Sequence, residues 1–165
     1  IGIEPAIKPA ALHSKTQTIG ILATQGTLNS ELFHQTVEQF HNTKIIEQIG
    51  HGLVQLIEEG QINSPEMTKL LNSYLTPMIE ANIDYLVLGC SHYPYLIPQI
   101  KKIIPEHIDI IDSGEAVAKQ TQNILRDKVG FSTAKSSNPI FYTNTNPKVL
   151  KEILENKYSV EEKNF

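Results

Sequence analysis

The stretch Tyr85–Leu96 holds the only cysteine of the chain, Cys90, two residues before His92. It reads YLVLGCSHYPYL, so an apolar run ends at a glycine and is followed by a thiol, a hydroxyl and an imidazole. A cysteine near the start of a helix favours its thiolate, and a histidine exchanges protons near neutral pH. The spacing therefore indicates a reactive Cys-His pair, although a small buried structural cysteine is the other interpretation of Cys90.

Further polar residues follow two other predicted strands. Ligands bind beyond the carboxyl ends of the strands in open parallel α/β sheets, so these positions are candidates for a site. Thr24 and Thr27 flank a glycine after the first strand, His51 follows the second, and Glu58 and Glu59 lie one helix later. The threonines would otherwise be turn or cap residues, the glutamates a solvated helix end, and His51 stays ambiguous.

Metal binding is a weaker interpretation of the same residues. The chain has no C-x-x-C motif and no second Cys/His cluster, whereas a structural zinc ion takes four ligands. His34 and His41 lie seven positions apart on a predicted helix, about 10.5 Å along its axis, and could not share an ion directly. We therefore predict no metal site and expect His13, His34, His41 and His107 to be solvated surface groups.

The elements that would position these residues alternate along the chain, which predicts an α/β fold with a parallel sheet flanked by helices. Five short runs rich in β-branched residues are the predicted strands: Thr18–Thr24, Lys44–Ile49, Asp84–Gly89, Ile108–Asp112 and Ile140–Thr143. Most of them are apolar on both faces, as expected when helices cover both sides of a sheet. The polar stretch from Lys128 to Pro139 is predicted to be a linker or long loop.

Capping signals mark the predicted helices. The clearest helix begins with Ser64 as N-cap and Pro65 at its first position, and its apolar residues repeat at helical spacing. Of the other predicted helices, one follows Asn29 or Ser30 and another spans Leu53–Glu59. A third begins at Asp112, in a capping-box-like pattern with Glu115, and runs to about Leu125. The last begins at Asn146-Pro147.

Composition narrows the class of partner. The formal net charge is −4, with 14 Lys and Arg against 18 Asp and Glu and no basic run, so there is no footprint for nucleic acid or an anionic membrane. One cysteine cannot form an internal disulfide, and no apolar stretch of about 20 residues is present. We expect a cytoplasmic protein that acts on a small-molecule substrate.

Several motifs together resemble glutamate racemase, a cofactor-independent enzyme that supplies D-glutamate for peptidoglycan, the bacterial cell wall. The most specific is LGCSHYP at Leu88–Pro94, which is similar to the family's LGCTHYP signature with serine in place of threonine. Four other segments resemble the family in order along the chain: EPAIKPA, ILATQGTLNS, GLVQLIEEG and IDSGEAVA. The resemblance implies two α/β lobes with the active site between them, and two cysteines on opposite faces of the substrate α-carbon, without PLP or metal.

The resemblance also implies roles for individual residues. Cys90 corresponds to the second catalytic cysteine, His92 to its acid/base helper, and Glu58 to a catalytic glutamate near the same site, with Glu59 one position away. Ser91, Thr24 and Thr27 correspond to hydroxyl residues that hold the carboxylates and amino group of glutamate.

The departures from the family pattern predict a partial chain. The family's other cysteine lies in an upstream A-C-N-T-A motif, which this sequence does not contain. Residues 1–112 are therefore expected to be the second lobe of a two-lobed racemase, and residues 113–165 a helix-strand-helix segment that returns toward the first lobe and leaves its strand without sheet partners. With one thiol, the 165-residue chain alone is expected to be inactive. Exposed apolar surface would favour association, for example as a homodimer.

Other functions remain open at this point. The substrate would be aspartate or a related amino acid in another branch of the family. From different classes, the chain could be a Cys-His thiol enzyme, which would form a covalent adduct at Cys90, or a non-catalytic binding module. Of these classes, only a racemase would exchange the α-hydrogen of its substrate with solvent.

Overall fold

The structure is a computed structural model, and it describes residues 4–130 and 138–165. The strands are β1 (Thr18–Ala23), β2 (Lys44–Ile49), β3 (Tyr85–Gly89), β4 (Asp109–Ile111), β5 (Ile140–Thr143) and β6 (Ser159–Glu162). The α-helices are α1 (Ile7–His13), α2 (Gln25–Leu28), α3 (Glu31–Val37), α4 (Leu53–Glu58), α5 (Pro65–Glu80), α6 (Ile97–Ile100), α7 (Gly114–Lys128) and α8 (Pro147–Ile153). A 3₁₀ turn covers Tyr93–Leu96. Part of the predicted connection between Lys128 and Pro139 lies outside the described residues.

Four strands form a parallel sheet in the order β2-β1-β3-β4, which confirms the predicted fold class. The two central strands are almost fully buried, because side chains alternate between the faces and helices cover both. On one face, Leu22, Leu86 and Leu88 pack against α4, α5 and the turn after β3. On the other face, Ile19, Ile21 and Val87 pack against α1 and α3.

The longest helix, α5, forms where its capping signals place it. The hydroxyl of Ser64 accepts a hydrogen bond from the Met67 amide at 3.0 Å, and Pro65 occupies the first helical position. Met67, Leu71, Leu75 and Met78 are its buried residues. This helix packs against β1 and β2 and shares a core cluster with Leu86 and Leu88 of β3, the strand that leads to Cys90.

The C-terminal third differs from expectation in three ways. The strand β5 does not join the main sheet; it pairs in parallel with β6 in a separate two-stranded sheet, so it is not left without a partner. The N-cap position of α7 is Ser113, one residue later than predicted, and the Ser113 side chain makes no capping hydrogen bond; the Asp112 carboxylate accepts the Gly114 amide at 2.7 Å, as a capping side chain does. The helix also continues to Lys128, beyond the predicted end at Leu125.

Candidate active site

The carboxyl ends of β1 and β3 lie side by side, which brings two predicted site segments together. Ala23 and Gly89 are register partners, so Thr24 and Cys90 leave the same edge of the sheet. The strands approach closely here, since a Cβ added at Gly89 would lie 2.7 Å from the Ala23 Cβ and 3.3 Å from Pro5. Packing therefore requires a glycine at the position directly before the cysteine.

Cys90, His92 and Glu58 form a continuous polar chain. The Cys90 sulfur lies 3.9 Å from His92 Nδ1, and His92 Nε2 lies 3.1 Å from Glu58 Oε1. Glu59 points elsewhere and accepts hydrogen bonds from the side chains of Gln55 and Gln61 at 2.8 and 3.1 Å. Of the two glutamates in this segment, the structure therefore brings Glu58 to the histidine.

This arrangement suits proton transfer. A carboxylate beside one nitrogen of an imidazole stabilises the imidazolium, which forms when the other nitrogen receives a proton from a thiol. Cys90 is half-buried, and the side chains of His92 and Glu58 are 34 % and 61 % exposed. The chain of groups thus leads from a partly enclosed thiol to solvent-accessible acid/base groups.

The three hydroxyl residues also gather at this edge. Thr24 and Thr27 lie 2.9 Å apart between their hydroxyl oxygens, and Thr24 caps α2 by accepting the Thr27 amide at 3.3 Å. The Thr27 hydroxyl donates to the Gly89 carbonyl at 3.1 Å, which ties α2 to the end of β3. Ser91 is exposed and follows the thiol directly.

A cavity of about 420 Å³ lies between these groups. Of the predicted site residues, Thr24, Thr27, Cys90 and Ser91 line it, whereas His92 and Glu58 do not. Cys90 therefore joins the two parts of the site, because it lines the cavity and its sulfur lies 3.9 Å from His92 Nδ1.

Sequence reasoning missed several residues of the cavity wall. Glu4 and Pro5 reach it from the segment before α1, and Asp112, Ser113 and Gly114 reach it from the end of β4. For Asp112 a signal was available, since it follows a strand of the same sheet, as Thr24 and Cys90 do. For Glu4 and Pro5 the signal was the family-like segment EPAIKPA, which begins with these two residues, but only the tertiary fold places them at the cavity.

The histidines outside this chain of groups are on the surface. His13, His34, His41 and His107 are exposed, as predicted. His51 is exposed as well and does not line the cavity. Among residues 4–130 and 138–165, no three His, Cys, Asp or Glu side chains are placed to share a metal ion.

A buried tyrosine follows His92. Burial raises the pKa of Tyr93 well above its usual range, and the nearby Cys90 and Tyr74 raise it further. The hydroxyl therefore stays protonated at neutral pH and donates to the Gly50 carbonyl at 3.1 Å.

Of the helices in the described part of the chain, none combines the length and apolar character needed to cross a bilayer.

Comparisons with known proteins show which proteins the chain is similar to. Residues 1–121 match the model of the Asp/Glu/hydantoin racemase family. A glutamate racemase of Pseudomonas putida KT2440 is 40 % identical over 155 residues, which cover 93 % of this chain. A glutamate racemase of Ralstonia pickettii 12J is 42 % identical over 142 residues, which cover 86 % of this chain and 50 % of that protein. The chain spans 58 % of the length of the Pseudomonas relative.

The fold is also shared with a solved structure. The crystal structure of Escherichia coli glutamate racemase, in complex with L-glutamate and the activator UDP-MurNAc-Ala, superposes with a TM-score of 0.80 at 28 % sequence identity. The match covers 98 % of this chain and 64 % of the Escherichia coli chain.

Proposed function

Because this chain belongs to the Asp/Glu/hydantoin racemase family, we propose that it forms the part of a glutamate racemase that carries one of two catalytic thiols. The observation that carries the proposal is the polar chain Cys90–His92–Glu58, which ends at a cavity lined by hydroxyl groups. Glutamate is favoured as substrate because relatives at about 40 % identity are glutamate racemases, and the Escherichia coli structure contains L-glutamate.

The proposed chemistry starts at Cys90. Its thiolate removes the α-proton of glutamate, so the carbon–hydrogen bond breaks, a sulfur–hydrogen bond forms, and the electron pair is delocalised into the substrate carboxylate. His92 accepts the thiol proton before each turnover, and Glu58 stabilises the resulting imidazolium. No cofactor is used.

The hydroxyl groups of Thr24, Thr27 and Ser91 are proposed to hold the substrate. Hydroxyls can donate to carboxylates and accept from an ammonium group, so they suit the two ends of an amino acid. The Thr27 hydroxyl already bridges Thr24 and the Gly89 carbonyl, which fixes its position relative to the thiol. With its hydrogen donated to Gly89, the Thr27 oxygen can still accept from the ammonium group of the substrate, and an acceptor held in place costs little reorganisation when substrate binds.

Inversion requires a second acid on the opposite face of the α-carbon. The chain has a single cysteine, so the proposed second thiol must come from residues outside these 165. We expect the 165-residue chain alone to produce no net interconversion, because removal of one member of a two-base unit abolishes most of the rate.

Residues 113–165 are proposed to pack against a further α/β lobe. None of the residues of α7 is buried, although the helix has 15 residues. Large apolar side chains are exposed on α7 and beyond, at Leu125, Val129, Ile140, Tyr142 and Tyr158. Such a surface is expected to be covered in the complete protein, whose relatives are longer than this chain. The complete enzyme would act in the cytoplasm and supply D-glutamate for cell-wall synthesis.

The test follows each enantiomer of glutamate separately. The full gene product in deuterium oxide should convert L- to D-glutamate with deuterium at the product α-carbon, as measured by circular dichroism and proton NMR, and Cys90→Ala should abolish this. The purified 165-residue chain should give no turnover. Turnover by that chain, lost in Cys90→Ala, would contradict the proposal that these 165 residues carry only one of the two catalytic groups. Exchange of the α-hydrogen of aspartate, in place of that of glutamate, would assign the protein to another branch of the racemase family. A covalent adduct at Cys90 without any exchange would indicate a thiol enzyme.

A further inference from the structure

Two segments of the chain touch at two separate points near the thiol. At one point the His92 imidazole meets the Glu58 carboxylate, with 3.1 Å between nitrogen and oxygen. At the other, the hydroxyl of Tyr93, the next residue, donates to the Gly50 carbonyl at 3.1 Å. Gly50 precedes α4 and Glu58 ends it, so the two contacts hold opposite ends of the same short segment.

The Tyr93 contact is tightly packed. Tyr93 is fully buried, and the chain leaves no space between its hydroxyl and Gly50. A Cβ added at Gly50 would collide with that hydroxyl and would lie 2.8 Å from Leu53 Cδ1. The turn before α4 is thus seated on the Tyr93 hydroxyl and cannot shift toward it.

A second tyrosine holds the same turn. The Tyr74 hydroxyl, on the long helix α5, donates to the His51 carbonyl at 2.9 Å. The next residue, Gly52, has a φ of 77° and is the N-cap of α4, so the direction of the helix is set at this turn. Tyr74 and Tyr93 together form what we call the tyrosine clamp on residues 50–52.

The helix needs such support. Its six residues are too few to be stable alone, since isolated helices of fewer than about 12–15 residues are marginal in water. Leu53 and Ile57 anchor its inner face in the core, but Glu58 is exposed and extends from the last turn. Small rotations of α4 would therefore move the carboxylate away from His92.

We propose that Tyr93 is a positioning residue, which seats the turn before α4 so that Glu58 stays on His92, with Tyr74 in support. Tyr93 does not line the cavity and touches no proposed substrate group. The inference rests on the proposed function, because it assumes that the Glu58–His92 contact serves the thiol. The inference explains why Glu58 stays in contact with His92, which these two residues alone do not explain.

The test uses the 165-residue chain and its single thiol. The rate of Cys90 alkylation by iodoacetamide at pH 7 is measured by intact mass, since the thiolate is the reactive form. Tyr93→Phe removes the hydroxyl and keeps the ring, and Gly50 retains one partner because its carbonyl also accepts the Leu53 amide at 3.4 Å. Tyr95→Phe, which removes a hydroxyl from a half-exposed ring two residues away, is the matched control.

We expect Tyr93→Phe to slow alkylation about fivefold, the ratio that corresponds to one ordinary hydrogen bond, and Tyr95→Phe to leave it unchanged. Glu58→Gln should slow it about tenfold, as expected for a hydrogen bond to a charged group. The double variant Tyr93→Phe/Glu58→Gln should be no slower than Glu58→Gln alone, because both changes act through the same contact.

The outcomes separate this inference from the proposed function. If Glu58→Gln slows alkylation but Tyr93→Phe does not, the positioning role is overturned and the proton-transfer chain stands. If the effects of the two changes multiply, Tyr93 acts by another route and the inference also fails. If Glu58→Gln has no effect, both fail together. A purely structural role of Tyr93 would lower the unfolding temperature of Tyr93→Phe without changing the alkylation rate. If Tyr93→Phe does not fold, Tyr74→Phe takes its place in the test, with a smaller slowing of alkylation expected.

Discussion

His92 lies between Cys90 and Glu58, with its Nδ1 atom 3.9 Å from the sulfur and its Nε2 atom 3.1 Å from the carboxylate. The histidine can therefore hold a proton between a group that releases one and a group that stabilises the resulting charge. The ring is brought to this position by the turn after β3, and the carboxylate by the end of α4. Two elements that are distant in sequence thus bring these three side chains together.

The Glu58–His92 contact should matter far more for reactivity than for stability. Both side chains are partly exposed, at 61 % and 34 %, and exposed ion pairs contribute roughly 0.2–1 kcal/mol. We expect Glu58→Gln to change the free energy of unfolding by less than about 1 kcal/mol, as measured by urea denaturation, while the alkylation of Cys90 slows.

Glu59→Gln is the matched control for that change. Glu59 is adjacent, equally charged and hydrogen-bonded to Gln55 and Gln61 instead of the histidine. It should leave the alkylation rate of Cys90 unchanged. Equal slowing by the two substitutions would show that the effect is one of net charge near α4, and would remove the reason for assigning the role to Glu58.

The close approach of β1 and β3 predicts opposite effects for two glycine substitutions. Gly89→Ala places a Cβ 2.7 Å from the Ala23 Cβ between two central strands, so it should lower the free energy of unfolding by about 1–3 kcal/mol. Gly26→Ala adds a Cβ with nothing within 4 Å at an exposed position of α2, and should be neutral or stabilise by up to about 1 kcal/mol. Urea denaturation of both variants measures the difference; equal stability would mean that β3 can move away from β1.

Much of the sheet and of the site edge could be predicted from local patterns. Strand β2 has the predicted bounds, and the Ser64-Pro65 pair marks the start of α5, because these signals depend on a few neighbouring residues. The placement of Thr24 and Cys90 at one edge followed from the rule that parallel strands end on the same side. These features needed no knowledge of distant contacts.

The remaining features depend on such contacts. Glu58 and Glu59 are equivalent in the sequence, and only the rotation of α4 about its axis decides which one meets His92. The pairing of β5 with β6 was missed because Ser159–Glu162 reads SVEE, which has little of the β-branched pattern of a buried strand. Glu4 reaches the cavity only because the segment before α1 packs on Gly89.

The Thr27 hydroxyl should contribute to the stability of the site edge. It donates to the Gly89 carbonyl at 3.1 Å and lies 2.9 Å from the Thr24 hydroxyl. Thr27→Val keeps the shape but removes these bonds, and should lower the free energy of unfolding by about 1–2 kcal/mol. Thr76→Val on the exposed face of α5, whose hydroxyl bonds only within its own helix, should change it by less than about 0.5 kcal/mol. Thermal denaturation of the two variants measures both changes. Similar losses of stability in the two variants would contradict the conclusion that the Thr27 hydroxyl stabilises the edge of the site.

Asp84 should make the stability of the chain depend on pH. Its carboxylate, one residue before β3, accepts hydrogen bonds from the Ser14 hydroxyl at 2.6 Å and from the Lys15 and Thr16 amides at 2.5 and 3.0 Å. Burial alone would raise the pKa of Asp84, but these hydrogen bonds outweigh it and the pKa is lowered. A group whose pKa is lowered by folding stabilises the folded state above its unfolded pKa, which is about 3.9 for aspartate.

The stabilisation by Asp84 is therefore fully present at pH 7 and is lost as the pH falls below about 4 toward the folded pKa, because the unfolded chain takes up the proton first. Asp84→Asn should lower the free energy of unfolding at pH 7 by about 2 kcal/mol, and the difference from the unsubstituted chain should shrink between about pH 5 and pH 3. Asp109→Asn, an exposed aspartate of β4, is the control and should show a small difference at pH 7. Urea denaturation across this range provides the measurement. A difference that stays constant down to pH 3 would mean that the carboxylate is held by its shape and hydrogen-bond geometry alone, independently of its charge.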